Sequence, residues 1–157
     1  MNLTIMHIPV IIGAILEGPL VGGAIGLIFG LFSMYQNITA PNLTSFIFMN
    51  PIIALLPRIL IGIVTYYVYT FIKNKIKNKS ISIGVASIAG TLTNTIGVLG
   101  LTYILYLDRY AAAKQISTDM VAGALLTVIG TNGVAEAIAS AVIAIPVVTA
   151  ISKIRKF

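Results

Sequence analysis

The 157-residue sequence has no cysteine, no tryptophan and a single histidine. Without cysteine there is no thiol nucleophile, no disulfide framework and no thiolate metal ligand. A lone histidine argues against a protein-only zinc site, and no metal or cofactor is expected. Charge is also scarce. Only 9% of residues are charged, against roughly 25% in a soluble domain. With 58% hydrophobic residues, the chain lacks the polar surface that a soluble fold exposes. This excludes a soluble enzyme, a disordered segment and a water-soluble binding module. The net charge of +6 does not point to nucleic acid, because the excess lies in short connectors and tails. No glycine-rich phosphate loop ending in Lys-Ser or Lys-Thr is present, so ATP hydrolysis by that route is excluded.

What remains is an all-α membrane protein of one domain, residues 1–157. A spanning helix needs about 20 mostly apolar residues. Apolar runs cover about 20–35, 51–72, 81–107 and 118–151, and a shorter one covers 5–16. The expected architecture is a compact bundle of five helices. Glu17-Gly18-Pro19 breaks the first from the second, and Pro57 predicts a kink in the third. The polar stretch 36–50 reads as a loop.

Orientation follows from basic residues. Four lysines and no acids fall in 73–79, which makes that connector cytoplasmic. Two spans later the C-terminus carries Lys153, Arg155 and Lys156, so it is cytoplasmic too. The loop 36–50 is then external, and 5–16 starts outside. An external start without a basic flank is hard to insert, so either the chain reads as if a first helix preceded it, or 5–16, only about 12 residues long, is a re-entrant or interfacial piece.

Gly18, Gly22, Gly26 and Gly30 recur every four residues and form a small-residue stripe on the second helix. The stripe suits either packing within the bundle or docking of another membrane subunit. Ionisable groups within spans are costly, so each is a functional candidate. Arg58 lies roughly 10 Å into its helix at 1.5 Å per residue. Asn132 and Glu136 share a face near the middle of the last helix. Asn94 sits among Thr91, Thr93 and Thr95. Arg58 and Glu136 form a buried ion pair, or these groups line a polar cavity open to the outside and bind a solute. His7 precedes Pro9 at the outer end of the first run, where it reads as a polar tip or a solute contact. Tyr66, Tyr67 and Tyr69 predict an inner aromatic belt, and Tyr103, Tyr106 and Tyr110 an outer one. The loop 36–50 is long for a compact domain. It carries Phe46 and Phe48, which predicts a lid.

The run 6–19 with Gly22-Gly23-Ala24 resembles the second and third helices of the S components of energy-coupling factor (ECF) transporters. So do Asn50-Pro51 through Pro57-Arg58 to Gly62, and Asn132-Gly133 with Glu136 and the alanines that follow. The similarity covers essentially the whole chain. It implies a membrane-embedded vitamin-binding subunit of about six helices in the bacterial cell membrane. Such a subunit takes a small water-soluble vitamin from outside and passes it to an ECF transmembrane coupling subunit with two cytoplasmic ATPases. On this resemblance the sequence would start after the family's first helix, whose spaced alanines dock on the partner. It resembles the pantothenate-type branch, where Arg58 would suit the cargo's carboxylate. Riboflavin, thiamine precursors, folate and queuosine-type solutes stay open. The implied cargo contacts are Arg58, Asn94, Asn132, Glu136 and His7, with Asn42, Phe46 and Asn50 on the lid. The competing class is a small membrane scaffold or assembly protein whose glycine stripe binds a partner. A membrane enzyme is unsupported, because Glu17 and Glu136 lie on different helices and do not make a carboxylate pair.

Overall fold

The computed structural model describes residues 5–155, and every regular element among them is helical. The elements are α1 (Ile8–Glu17), α2 (Pro19–Thr39), α3 (Ser45–Phe48), α4 (Pro51–Lys75), α5 (Lys79–Lys114), α6 (Thr118–Val128) and α7 (Val134–Ile154). A five-residue π turn, Ile129–Gly133, joins α6 to α7 in one rod. The five expected rods are thus present, with the short α3 added. Four of them are long and apolar enough to cross a bilayer. The ten residues of α1 reach only about 15 Å, half a hydrocarbon core. Lys156, part of the basic C-terminal cluster, lies outside the described residues.

The boundaries have local causes. Gly18 adopts φ +100° and its N–H closes α1 on the Ala14 carbonyl; a side chain there would be strained. Pro19 then starts α2 at the position where a missing N–H costs nothing. Asn50 caps α4 by accepting from the Ile52 N–H, and Asn78 caps α5 by accepting from Ile81.

Two connectors are shorter than expected. Residues 36–39 belong to α2, where Asn37 and Thr39 bond back to the Ser33 and Tyr35 carbonyls. The helix ends at Ala40, because Pro41 disfavours helical geometry in the residue before it. Residues 108–114 belong to α5, helped by three alanines, which are strong helix formers. At 36 residues α5 is about 54 Å long, more than a bilayer core needs. Non-helical dihedrals at Tyr106 (φ −133°, ψ 30°) break it near its end.

Gly22, Gly26 and Gly30 of the glycine stripe face into the bundle, in line with the packing alternative. A Cβ on Gly26 would overlap the Arg58 carbonyl, and one on Gly30 would lie 2.6 Å from the Ala54 oxygen. Gly22 meets Ala14 and Gly62 in the same way. Small residues therefore let α2 touch the backbone of α4, leaving no room there for another chain. Gly18 serves the turn instead.

The core has two parts. Near the basic end, Val10, Ile11, Ile61, Ile83, Ala144 and Val148 interlock α1, α4, α5 and α7. At the opposite end, Ile47, Ile53, Val98, Tyr110 and Val121 pack the 40–50 segment against α4, α5 and α6. The aromatic belts are therefore incomplete. Tyr67 and Tyr103 face outward, but Tyr69 and Tyr110 turn into the bundle.

Candidate functional site: a cationic cavity under the 40–50 segment

A cavity of about 800 Å³ lies at the end of the bundle that carries the 40–50 segment. That segment roofs it with Asn42, Thr44, Ile47 and Phe48. One face of α2 supplies Phe29, Ser33, Gln36 and Asn37. From α5 come Val98, Thr102, Tyr110 and Lys114, and the last rod gives Val128 and Asn132. Arg58 comes from α4. Among the described residues, its charged lining residues are Arg58 and Lys114, and no acid lines it.

Arg58 is buried, with 4% of its surface exposed. Its Nη1 donates to the Ile53 carbonyl at 2.9 Å. Its guanidinium sits between the Phe29 ring, 5.3 Å away, and the Phe48 ring, 5.1 Å away. Cation–π contacts of this kind hold a guanidinium without neutralising it. Its Nε finds no hydrogen-bond partner. None of these contacts is a carboxylate, so the guanidinium is placed by a carbonyl and two rings rather than by Glu136.

Asn132 enters the cavity from the π turn. A π turn adds a residue to the helical repeat and re-aims the side chains that follow it, and such turns concentrate at functional sites. Glu136 is half-buried one turn further along and is not among the lining residues.

Asn42 lines the cavity from the roof, where its Oδ1 accepts from the Thr44 N–H and hydroxyl, both at 3.0 Å. Ser45 ties the roof to α2 by donating to Asn37 Oδ1 at 2.9 Å. Phe46 and Asn50 do not line the cavity. Phe46 stacks edge-on against Tyr106 with ring centroids 5.5 Å apart, under the Arg109 guanidinium. Asn50 donates to the Tyr106 hydroxyl at 3.0 Å. Both fasten the segment to the break in α5.

His7 and Asn94 lie in the layer beneath. His7 is fully buried, and its Nε2 is 3.1 Å from Thr91 Oγ1. That oxygen is also 2.8 Å from Ser140 Oγ and 2.9 Å from the Ser87 carbonyl. A polar column thus crosses from α1 through α5 to α7. Asn94 is 8% exposed, and its Oδ1 has no hydrogen-bond partner among the described residues.

Sequence reasoning missed Lys114, Thr102, Tyr110 and the polar face of α2. Lys114 falls between the apolar runs 81–107 and 118–151, a gap that α5 in fact continues through. Thr102 had a signal, since Thr91, Thr95, Val98 and Thr102 fall on one face at helical spacing.

The fold and this cavity define a polytopic membrane protein built to hold a small polar solute near one end of its helices. Comparison with known proteins gives the family. The profile described as "ECF transporter, substrate-specific component" matches residues 1–148. A Lactococcus lactis subsp. cremoris protein named "Pantothenic acid transporter PanT" is 33% identical, over 97% of this chain and 79% of the relative. A Leuconostoc mesenteroides subsp. mesenteroides protein named "Pantothenate transporter PanT" is 30% identical, over 86% of this chain and 68% of the relative. The chain belongs to the substrate-specific components of ECF transporters. It is a membrane-embedded, vitamin-capturing subunit of such a transporter.

Proposed function

We propose that the chain captures pantothenate in the cavity under the 40–50 segment. The observation that carries this is the charge of the lining. Among the described residues, two cations and no acid face about 800 Å³, and the deeper cation is buried without a carboxylate partner. A buried guanidinium gains most from an anionic ligand that can bond it in fork geometry. Pantothenate offers one carboxylate, an amide and two hydroxyls, and both relatives carry its name.

In this reading Arg58 binds the carboxylate. Asn132 and Asn42 bond the amide or hydroxyls, and Lys114 attracts the anion at the mouth. His7, Asn94 and Glu136 act from the layer beneath, where the Asn94 oxygen is a ready acceptor. The 40–50 segment is a lid, fastened by Phe46 and Asn50. The cavity opens to the outside of a bacterial cell membrane. The opposite end, with Lys73, Lys75, Lys77, Lys79 and Arg155, is cytoplasmic by the positive-inside rule. An ECF coupling subunit and two ATPases supply the energy. The scaffold alternative loses support, since the glycine stripe it relied on is filled by α4.

Calorimetry on the detergent-purified protein tests this with pantothenate and panthenol, which carries a hydroxymethyl group in place of the carboxylate. Pantothenate binds, and panthenol binds at least about 30-fold more weakly, as loss of a buried charge partner implies. Arg58→Met removes the preference. Equal affinity for the two ligands, or binding of neither, defeats the proposal.

A further inference from the structure

A second recess, of about 310 Å³, lies at the basic end, far from the cavity, where α1, α4, α5 and α7 meet. Lys73 near the end of α4, Lys79 at the start of α5 and Arg155 just past α7 line it, with Ser152 and Tyr69. Three cationic side chains thus converge from three helices. Tyr69 is only 7% exposed, and the Lys73 ammonium lies over its ring, 5.6 Å from the centroid. Ile15 and Leu16 complete the lining, and no Asp or Glu belongs to it among the described residues. Glu17 pairs with Arg155 at the edge. Lys75 lies over the Phe71 ring, outside the recess. Lys77 is exposed on the connector.

A recess lined by N–H and O–H donors suits a tetrahedral oxyanion with several acceptor oxygens. Its position is at the interfacial end of four apolar helices. Exposed Tyr67 and Phe71 continue the surface of α4 beside Lys73. Basic pockets between membrane helices on such a face take phosphate headgroups. We infer that this recess binds a phosphate group, and that the phosphate belongs to an anionic phospholipid. The inference is independent of the cargo assigned to the cavity.

The test is native mass spectrometry of the full chain in mild detergent with equal phosphatidylglycerol and phosphatidylcholine added. Phosphatidylglycerol is retained in preference. Lys73→Gln with Arg155→Gln lowers its retention to the phosphatidylcholine level. Lys75→Gln with Lys77→Gln removes the same charge outside the recess and leaves retention unchanged. Glu17→Gln raises retention, because Arg155 loses its competing carboxylate; a misfolded variant would not show this gain. Equal retention of the two lipids by the unaltered protein overturns the inference, as does an equal loss in both lysine-containing double variants. Adding sn-glycerol 3-phosphate separates the two sources of phosphate. Displacement at equimolar concentration overturns the lipid assignment in favour of a soluble phosphate ester, and persistence of the lipid supports it.

Discussion

Arg58 donates to the carbonyl of Ile53, the acceptor that Pro57, four residues on, cannot serve. Proline has no N–H, so a proline inside a helix strips the carbonyl four residues earlier of its bond. The next side chain folds back and replaces it, and this fixes the guanidinium beside the cavity. Proline and arginine act here as one unit. Pro57 also packs against Gly97, where a Cβ would lie 3.0 Å away, so α4 and α5 meet tightly at this level.

A double-mutant cycle tests that unit. Arg58→Met leaves the Ile53 carbonyl unpaired, which costs about 1 kcal/mol in this setting. Pro57→Ala restores a backbone N–H to the carbonyl, so Arg58→Met costs less in that background. Thermal unfolding of the four proteins in detergent gives the coupling. Strict additivity would show that the two residues are independent.

Lys114 makes a different kind of contribution. It is exposed at the mouth, and Arg58 is buried. An exposed charge acts mainly on the rate of encounter and is screened by salt. Lys114→Gln slows pantothenate association on the order of tenfold at low ionic strength. The deficit fades as salt rises, and dissociation is unchanged. Stopped-flow fluorescence using the tyrosines measures both rates. A change in dissociation alone would place Lys114 in contact with the bound ligand instead.

The glycines predict effects of opposite sign. Gly26 touches the backbone at Arg58, whereas Gly100 and Gly123 have open space where a Cβ would go. Gly26→Ala forces α2 off α4, costs about 1–3 kcal/mol and weakens cargo binding by displacing Arg58. Gly100→Ala and Gly123→Ala gain helix propensity, by roughly 0.5–1 kcal/mol. Melting temperatures falling for the first and holding or rising for the others would agree. A neutral Gly26→Ala would mean that the two helices can separate at little cost.

Much of the fold was legible, because hydropathy and turn residues act locally. Gly18-Pro19, Asn50-Pro51 and the lysine connector mark their boundaries with their own chemistry. Residues 36–39 and 108–114 carry polar side chains that suggest loop, but Asn37 and Thr39 bond to carbonyls of their own helix, and three alanines carry α5 through 111–113. The cavity was half legible. Arg58 and Asn132 stand out as polar groups in apolar runs. The π turn that aims Asn132 leaves no periodic mark in the sequence. Phe46 and Phe48 look equivalent in the chain, yet one holds Tyr106 and the other covers Arg58. The glycine stripe could not declare its partner, because α4 becomes its neighbour only through tertiary packing.

The division of labour in the 40–50 segment gives the last prediction. Phe48 covers Arg58, and Asn50 and Phe46 hold the segment on Tyr106. If the segment is the lid, loosening its anchor opens the route for release without touching the binding groups. Tyr106→Phe removes the bond from Asn50 and keeps the ring contact. It raises the pantothenate dissociation rate about two- to tenfold, the worth of one net hydrogen bond, and leaves association unchanged. Asn50→Ala loses that bond together with the cap of α4, which costs about 1 kcal/mol more in stability. Its effect on release is therefore accompanied by a lower melting temperature, which Tyr106→Phe largely escapes. Release rates unchanged in both variants would show that the segment is a structural cap and that the cargo leaves by another path.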